Sequence, residues 1–326
     1  MSTPPFIAIP DGVALCAPGA CPVPVLLAEP ATPVTGVTNA HDVLLVPGFT
    51  GSKEDYIAVL APLAARGWRV AAMDLPGQGA APPLGPRGSN LPEDLAGAVV
   101  EVARWLAPGR PVHLVGHSMG GLVTRAVVLA HPELVASWTI VCSGPGPVPV
   151  DRFETLTMLQ HLLASQPMAE VWVIKEALDR AGGWSPPSPE VAEFCAQRFI
   201  ANDPAALHDA AETLMTAPDL TDEAARVLAR HRIPAAVVTG ALDDAWPIAE
   251  QASMAERLGC PWYELPGVGH NPSTEDPVAT VELLDAIFTG APAGTVAEAA
   301  AAPGRRTPAS PAPGPDATTI TDVAQV

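Results

Sequence analysis

The sequence predicts an α/β protein: a doubly wound, mostly parallel sheet with a helical segment inserted into it. Three observations carry this. Short apolar runs bounded by turn residues alternate with helical patterns, the alternation stops between about 150 and 232, and it resumes afterwards. Strands that alternate with helices build βαβ units, and such units assemble parallel sheets.

The elements follow in order. Val13–Ala17 and Val23–Ala28 read as short strands on either side of a Pro/Gly turn. Val43–Val46, halted by Pro47-Gly48, has the pattern of a strand buried on both faces. Ser52 can cap the next helix, which runs to Arg66 and ends at Gly67. Strand Val70–Met73, a Gly/Pro loop, helix Pro92–Leu106, strand Val112–Val115, helix Met119–Ala130 and strand Trp138–Cys142 continue the alternation. Within the helical stretch, Ser188-Pro189-Glu190 and Asp203-Pro204-Ala205 each join an N-cap to a proline at the first helical position, and Thr221-Asp222-Glu223 opens another helix. Strand Ala235–Thr239, helix Ile248–Leu258, strand Trp262–Leu265 and a helix near Pro277–Phe288 complete the pattern. The expected organisation is a core in two parts, 1–146 and 233–289, a helical lid over 147–232, and a tail over 290–326. The tail is rich in Ala, Pro and Thr and has no aromatic residue. Too little apolar surface is available there to offset ordering entropy, so disorder is expected.

Composition narrows the function. With 17 Lys+Arg against 35 Asp+Glu, the formal charge is −18, and only Lys53 and Lys175 are lysines. Phosphate backbones and anionic membranes need clustered cations, so neither nucleic acid nor a membrane is an expected partner; a small-molecule substrate is. No apolar run reaches the ~20 residues that span a bilayer. Met1 to Pro10 carries no cation and is broken by three prolines, unlike a secretory signal, which points to the cytoplasm. The five cysteines lack zinc-ligand spacing, and a reducing compartment disfavours a Cys16–Cys21 disulfide. No metal and no cofactor is expected.

Chemistry concentrates in Gly116-His117-Ser118-Met119-Gly120-Gly121, directly after a strand and before a helix. A G-x-S-x-G turn in this context exposes a strained serine at the sheet edge above a helix N-terminus. A serine hydroxyl needs a base to remove its proton during attack. Of eight histidines, His270 lies in a loop after the final strand, where open α/β sheets keep their sites. Asp243, in the turn after strand Ala235–Thr239, is the expected carboxylate partner, with Asp244 capping the next helix or exposed. The order Ser118, Asp243, His270 then assigns nucleophile, acid and base. Two backbone N–H donors for the tetrahedral intermediate are expected at Met119 and at Phe49, in the loop after Val46.

These blocks, together with Asp74-Leu75-Pro76-Gly77-Gln78-Gly79 and Gly269-His270-Asn271-Pro272, resemble the lid-bearing branch of the α/β-hydrolase superfamily over roughly residues 10–289. The resemblance implies an α/β-hydrolase fold and a serine hydrolase acting through an acyl-enzyme, with Ser118, Asp243 and His270 as triad and Phe49 and Met119 as oxyanion donors. It departs from many members in having Pro47-Gly48 where they have His-Gly. The expected reaction is cleavage of an ester or related acyl bond. The same triad also serves C–C bond hydrolysis, cofactor-free perhydrolysis of the haloperoxidase kind and acyl transfer, and a non-catalytic binding protein could retain the fold.

The lid, Asp151–Arg230, carries 13 acidic and 6 basic residues, a field that disfavours strongly anionic substrates such as free coenzyme A esters. Its large apolar residues suggest an apolar underside and hence a small, largely apolar substrate, with Met158, Trp172 and, from the core, Trp246 as candidate contacts.

Overall fold

A computed structural model describes residues 7–18, 22–31, 42–183 and 185–291; the tail from 292 onwards and Cys21 lie outside the described residues. Eight strands form one sheet: β1 (Val13–Cys16), β2 (Val25–Ala28), β3 (Asp42–Val46), β4 (Arg69–Met73), β5 (Val112–His117), β6 (Val135–Val141), β7 (Ala235–Gly240) and β8 (Trp262–Leu265). Their spatial order is β1-β2-β4-β3-β5-β6-β7-β8. Only β2 runs against the others, pairing antiparallel with both β1 and β4. Every residue of β2 and β3 is buried, as continuous apolar runs covered on both faces require.

Both faces are covered. On one side α1 (Ile57–Ala65) and α10 (Pro277–Thr289) pack Leu60, Leu63, Val281 and Leu284 against Val43, Leu45 and Val70. On the other, α2 (Pro92–Leu106), α3 (Met119–Ala130) and α9 (Ile248–Leu258) pack Val99, Val123 and Met254 against Leu44, Leu114 and Val237. The chain crosses from β3 to β4 on one side and from β4 back to β5 on the other. The carboxyl ends of β3 and β5 therefore meet at a switch point, where open sheets form a crevice.

Five helices lie between β6 and β7: α4 (Phe153–Ser165), α5 (Met168–Ala181), α6 (Pro189–Ala201), α7 (Pro204–Thr216) and α8 (Thr221–His231). Ser188 Oγ and Asp203 Oδ1 cap α6 and α7, as the sequence expects. Leu159, Leu163, Val171, Trp172, Phe199 and Leu207 make a small apolar cluster that joins α4 to α7. The last helix differs: α8 places Ala224 and Leu228 in the same apolar layer as Val123 and Met254. It covers the sheet rather than the crevice. Within the expected segment 147–232, α8 meets α3 and α9.

The ends of the insertion are held by hydrogen bonds. Arg125 of α3, only 6% exposed, donates Nη1 to the Pro145 carbonyl after β6 and Nη2 to the Pro218 carbonyl before α8, the latter at 2.8 Å. At the α6–α7 corner, Asn202 Oδ1 accepts from Gly79 N and Asp203 N donates to Gly77 O, both at 2.8 Å. Asp209 of α7 accepts from Gly88 N and from Asn90 at both its backbone and side-chain nitrogens.

Candidate active site

Ser118 occupies the turn between β5 and α3 with φ 54° and ψ −127°. Such backbone costs a non-glycine residue about 1–3 kcal/mol and persists only where surroundings impose it. Here they do. A Cβ on Gly120 would lie 2.5 Å from the Val46 carbonyl oxygen, and one on Gly48 would lie 2.7 Å from Ser118 Cβ. Glycine at both positions lets β3, its loop and the serine turn approach this closely.

His270 follows β8 and stands beside Ser118. Its Nε2 is 3.0 Å from Ser118 Oγ and its Nδ1 is 2.8 Å from Asp243 Oδ1. A carboxylate only accepts, so Nδ1 carries the proton and Nε2 presents a lone pair to the serine hydroxyl. Asp243 is buried and its other bonds are occupied: Oδ1 accepts from Ala245 N at 3.0 Å and Oδ2 from Gln251 Nε2 at 2.7 Å. Burial pushes this carboxyl up, but the bonds from His270, Ala245 and Gln251 outweigh it and hold the pKa below the ordinary 3.8. Of the two adjacent aspartates, Asp243 meets His270. Asp244 is exposed and pairs with Arg152 at 2.8 Å.

Three further residues fix this arrangement, and the sequence assigned a role to none of them. Gln251 of α9 is fully buried; its Oε1 accepts from Thr239 Oγ1 while its amide holds Asp243 Oδ2 and the Trp246 carbonyl. His117 Nε2 lies 2.7 Å from the His270 carbonyl, so Nε2–H is the donor. Burial, and then the neighbouring His270, push the His117 pKa down to about 4, which keeps that ring neutral 4.9 Å from the His270 ring. Glu275 receives N–H from both Gly269 and Asn271, at 2.6 and 2.8 Å, and so clamps the loop on either side of His270.

The loop bearing Phe49 is organised from below. Thr50, with φ 56°, donates its N–H to Gln78 Oε1 at 2.6 Å. Asp74 accepts from Lys53 N, Lys53 Nζ and Ala80 N within 2.9 Å, and Lys53 Nζ also meets Glu54 at 2.8 Å. All three charged side chains are inaccessible to solvent. These bonds give the Asp74–Gly79 block, noticed only as a pattern in the sequence, its physical purpose: it braces the loop beside Ser118.

A cavity of about 730 Å³ opens above Ser118, lined by Phe49, His117 and His270 from the core and by α4–α6 above. Met158 and Trp172 line it as expected, and Met119 is buried at the first turn of α3. Trp246 does not line it. The indole is 1% exposed and donates Nε1 to the carbonyls of Gly146 and Pro147, because a buried N–H must find a partner. That residue is a brace for the start of the insertion, and the expectation of substrate contact is corrected. The cavity wall is also less apolar than expected: Arg152, Lys175 and Arg198 face it, along with Asp55, Asp179 and Asp244.

Among the described residues, one group of three metal-ligand types lies close together, Cys142, Asp243 and His270 within 4.8 Å. Two of these are already bonded to each other. The Cys142 thiol is pushed well above its ordinary pKa, by burial and then by Asp243, so it is not a thiolate donor.

Eight strands with only β2 reversed, and a serine turn at the switch point facing a histidine and a buried aspartate, define a hydrolase of the α/β class. The chain matches the Alpha/beta hydrolase family over residues 43–283 and belongs to it. A pimeloyl-[acyl-carrier protein] methyl ester esterase from Chromobacterium violaceum is 30% identical over 250 residues, 71% of this chain and 87% of that protein. A 2-hydroxy-6-oxononadienedioate/2-hydroxy-6-oxononatrienedioate hydrolase from Cupriavidus pinatubonensis is 32% identical over a shorter stretch, 35% of this chain and 40% of that protein. Among solved structures, the enol-lactonase from Burkholderia xenovorans superposes with a TM-score of 0.63 at 19% identity, covering 85% of this chain and all of that one. A thermophilic esterase from Thermogutta terrifontis gives 0.62 at 24% identity, covering 85% and 98%. Among the described residues, no helix is long and apolar enough to cross a membrane.

Proposed function

We propose that the protein is a serine hydrolase of small-molecule carboxylic esters, working through an acyl-enzyme. The observation that carries this reading is the continuous chain from Ser118 Oγ through His270 to Asp243, with contacts of 3.0 and 2.8 Å. In the forward step Ser118 Oγ attacks the ester carbonyl carbon while its proton passes to His270 Nε2. Asp243, held ionised by three hydrogen bonds, stabilises the imidazolium that forms. The backbone N–H groups of Phe49 and Met119 receive the developing oxyanion, and the α3 N-terminus adds its dipole. His270 then returns the proton to the departing alkoxide. Water, activated by the same ring, releases the acid and restores the hydroxyl.

Helices α4–α7 act as the lid in this reading, and the cytoplasm is its setting. The four described cysteines are all free, in keeping with a reducing compartment. The relatives named as methyl ester esterases support ester cleavage. Ser118→Ala is expected to lower kcat on a short p-nitrophenyl ester at least about a thousandfold, because triad members act as a unit. Unchanged turnover in the folded variant would refute the role of Ser118.

A further inference from the structure

Charge is sorted across the helical insertion. Between 151 and 230 the chain has 13 acidic and 6 basic residues. Three of the six basic side chains, Arg152, Lys175 and Arg198, face the cavity, but only one of the thirteen acids, Asp179, does so. A segment that is acidic as a whole thus turns a cationic underside toward Ser118. Two of the cations have structural partners on the core: Arg152 meets Asp244 at 2.8 Å and Arg198 meets Asp55. Lys175 does not bridge to the core. Its partner is Asp179, one turn on in the same helix, at 2.5 Å. One of its three donors is engaged there, and the pair is partly open to solvent, with side-chain exposures of 29% and 34%. The ammonium lies over the faces of both Trp172 and Phe199, 5.9 Å from each ring centroid. Lys175, Cys195 and Arg198 all line this cavity.

We propose that Lys175, supported by Arg198, is a subsite for a carboxylate, and that the preferred substrates are esters carrying a carboxylate at the end remote from the scissile bond. This rests on the ester-hydrolase reading and names its substrate class. A partly buried ammonium held over two aromatic rings binds an anion with a charge-assisted hydrogen bond, and its helix partner is exposed enough to yield or share. The same site rejects an ammonium-tailed ester by like-charge repulsion.

The test uses methyl esters of dicarboxylic acids of graded length, each compared with the isosteric ester whose far end is a neutral carboxamide. The enzyme is expected to show a kcat/KM about tenfold higher for the carboxylate at the fitting length. Lys175→Met is expected to abolish that ratio and Lys175→Arg to retain it. Equal kcat/KM for the two esters, a preference for an ammonium-tailed ester, or a ratio unmoved in Lys175→Met would overturn the subsite while leaving ester hydrolysis standing. Failure to hydrolyse either ester, with Ser118 also unreactive toward a fluorophosphonate, would overturn both.

Discussion

Gln251 shows how much of the Ser118–His270–Asp243 geometry comes from a residue that touches neither Ser118 nor His270. Its amide holds Oδ2 of the Asp243 carboxylate, at 2.7 Å and wholly shielded from water. Replacing it with leucine leaves Oδ2 of a buried charge unpaired, and hydrogen bonds to charged groups are worth about 1.5–3 kcal/mol. Gln251→Leu should therefore lower kcat by about ten- to a hundredfold with a smaller change in KM, read by steady-state kinetics; Gln251→Glu, which adds a like charge beside Asp243, should be worse. At this scale the juxtaposition of Ser118, Asp243 and His270 was legible because the proposed chemistry demands a fixed chain order and strained, Gly-rich turns. The supporting residues were not. Gln251 lies on a helix eight positions beyond Asp243, and His117 acts on a backbone carbonyl 153 positions away. Trp246 misled because an aromatic beside the acid looks like a substrate contact, whereas its indole N–H had to be satisfied inside the core.

Among the elements, the insertion depends on Arg125. This guanidinium is nearly inaccessible, and burial pulls its pKa down, yet its bonds go to the backbone carbonyls at the two ends of the segment. One side chain on the helix that follows Ser118 thus ties both ends of the insertion to the Ser118 turn. Arg125→Met leaves two buried carbonyls unpaired, at about 1–3 kcal/mol each. The variant should lose about 2–5 kcal/mol in denaturant unfolding and become more sensitive to protease near 144–149 and 217–220. Unchanged stability and protection would contradict the clamp. The alternation of strands and helices was readable element by element, since periodicity and capping residues are local. The allegiance of α8 was not, because the same amphipathic pattern serves a roof helix or a helix packed on the sheet. The direction each charge faces was equally hidden. A sum over the insertion suggested repulsion of anions, whereas the folded positions bring three of its six cations, and only one of its thirteen acids, to the cavity.

Over the whole molecule, the −18 charge and the single cavity-facing lysine describe a protein that keeps its few cations for specific contacts. Its stability should respond to acid through His117, whose folded pKa of about 4 lies below the ordinary 6.5. A depressed histidine pKa means that the unfolded chain takes up the proton first. The contribution is therefore complete above pH 6.5 and is lost as the pH falls towards 4, by up to about 3 kcal/mol. His117→Asn, which keeps a donor for the His270 carbonyl but cannot titrate, should lose less stability over that interval. An identical pH dependence in both proteins would contradict this account. The central claim, that Ser118 is a nucleophile activated by His270 and Asp243, is tested most directly by fluorophosphonate labelling of the folded protein, followed by peptide mass mapping. The account predicts one adduct, on Ser118, that is lost in Ser118→Ala and strongly slowed in His270→Ala; an unlabelled Ser118, or equal labelling in the His270 variant, would contradict it.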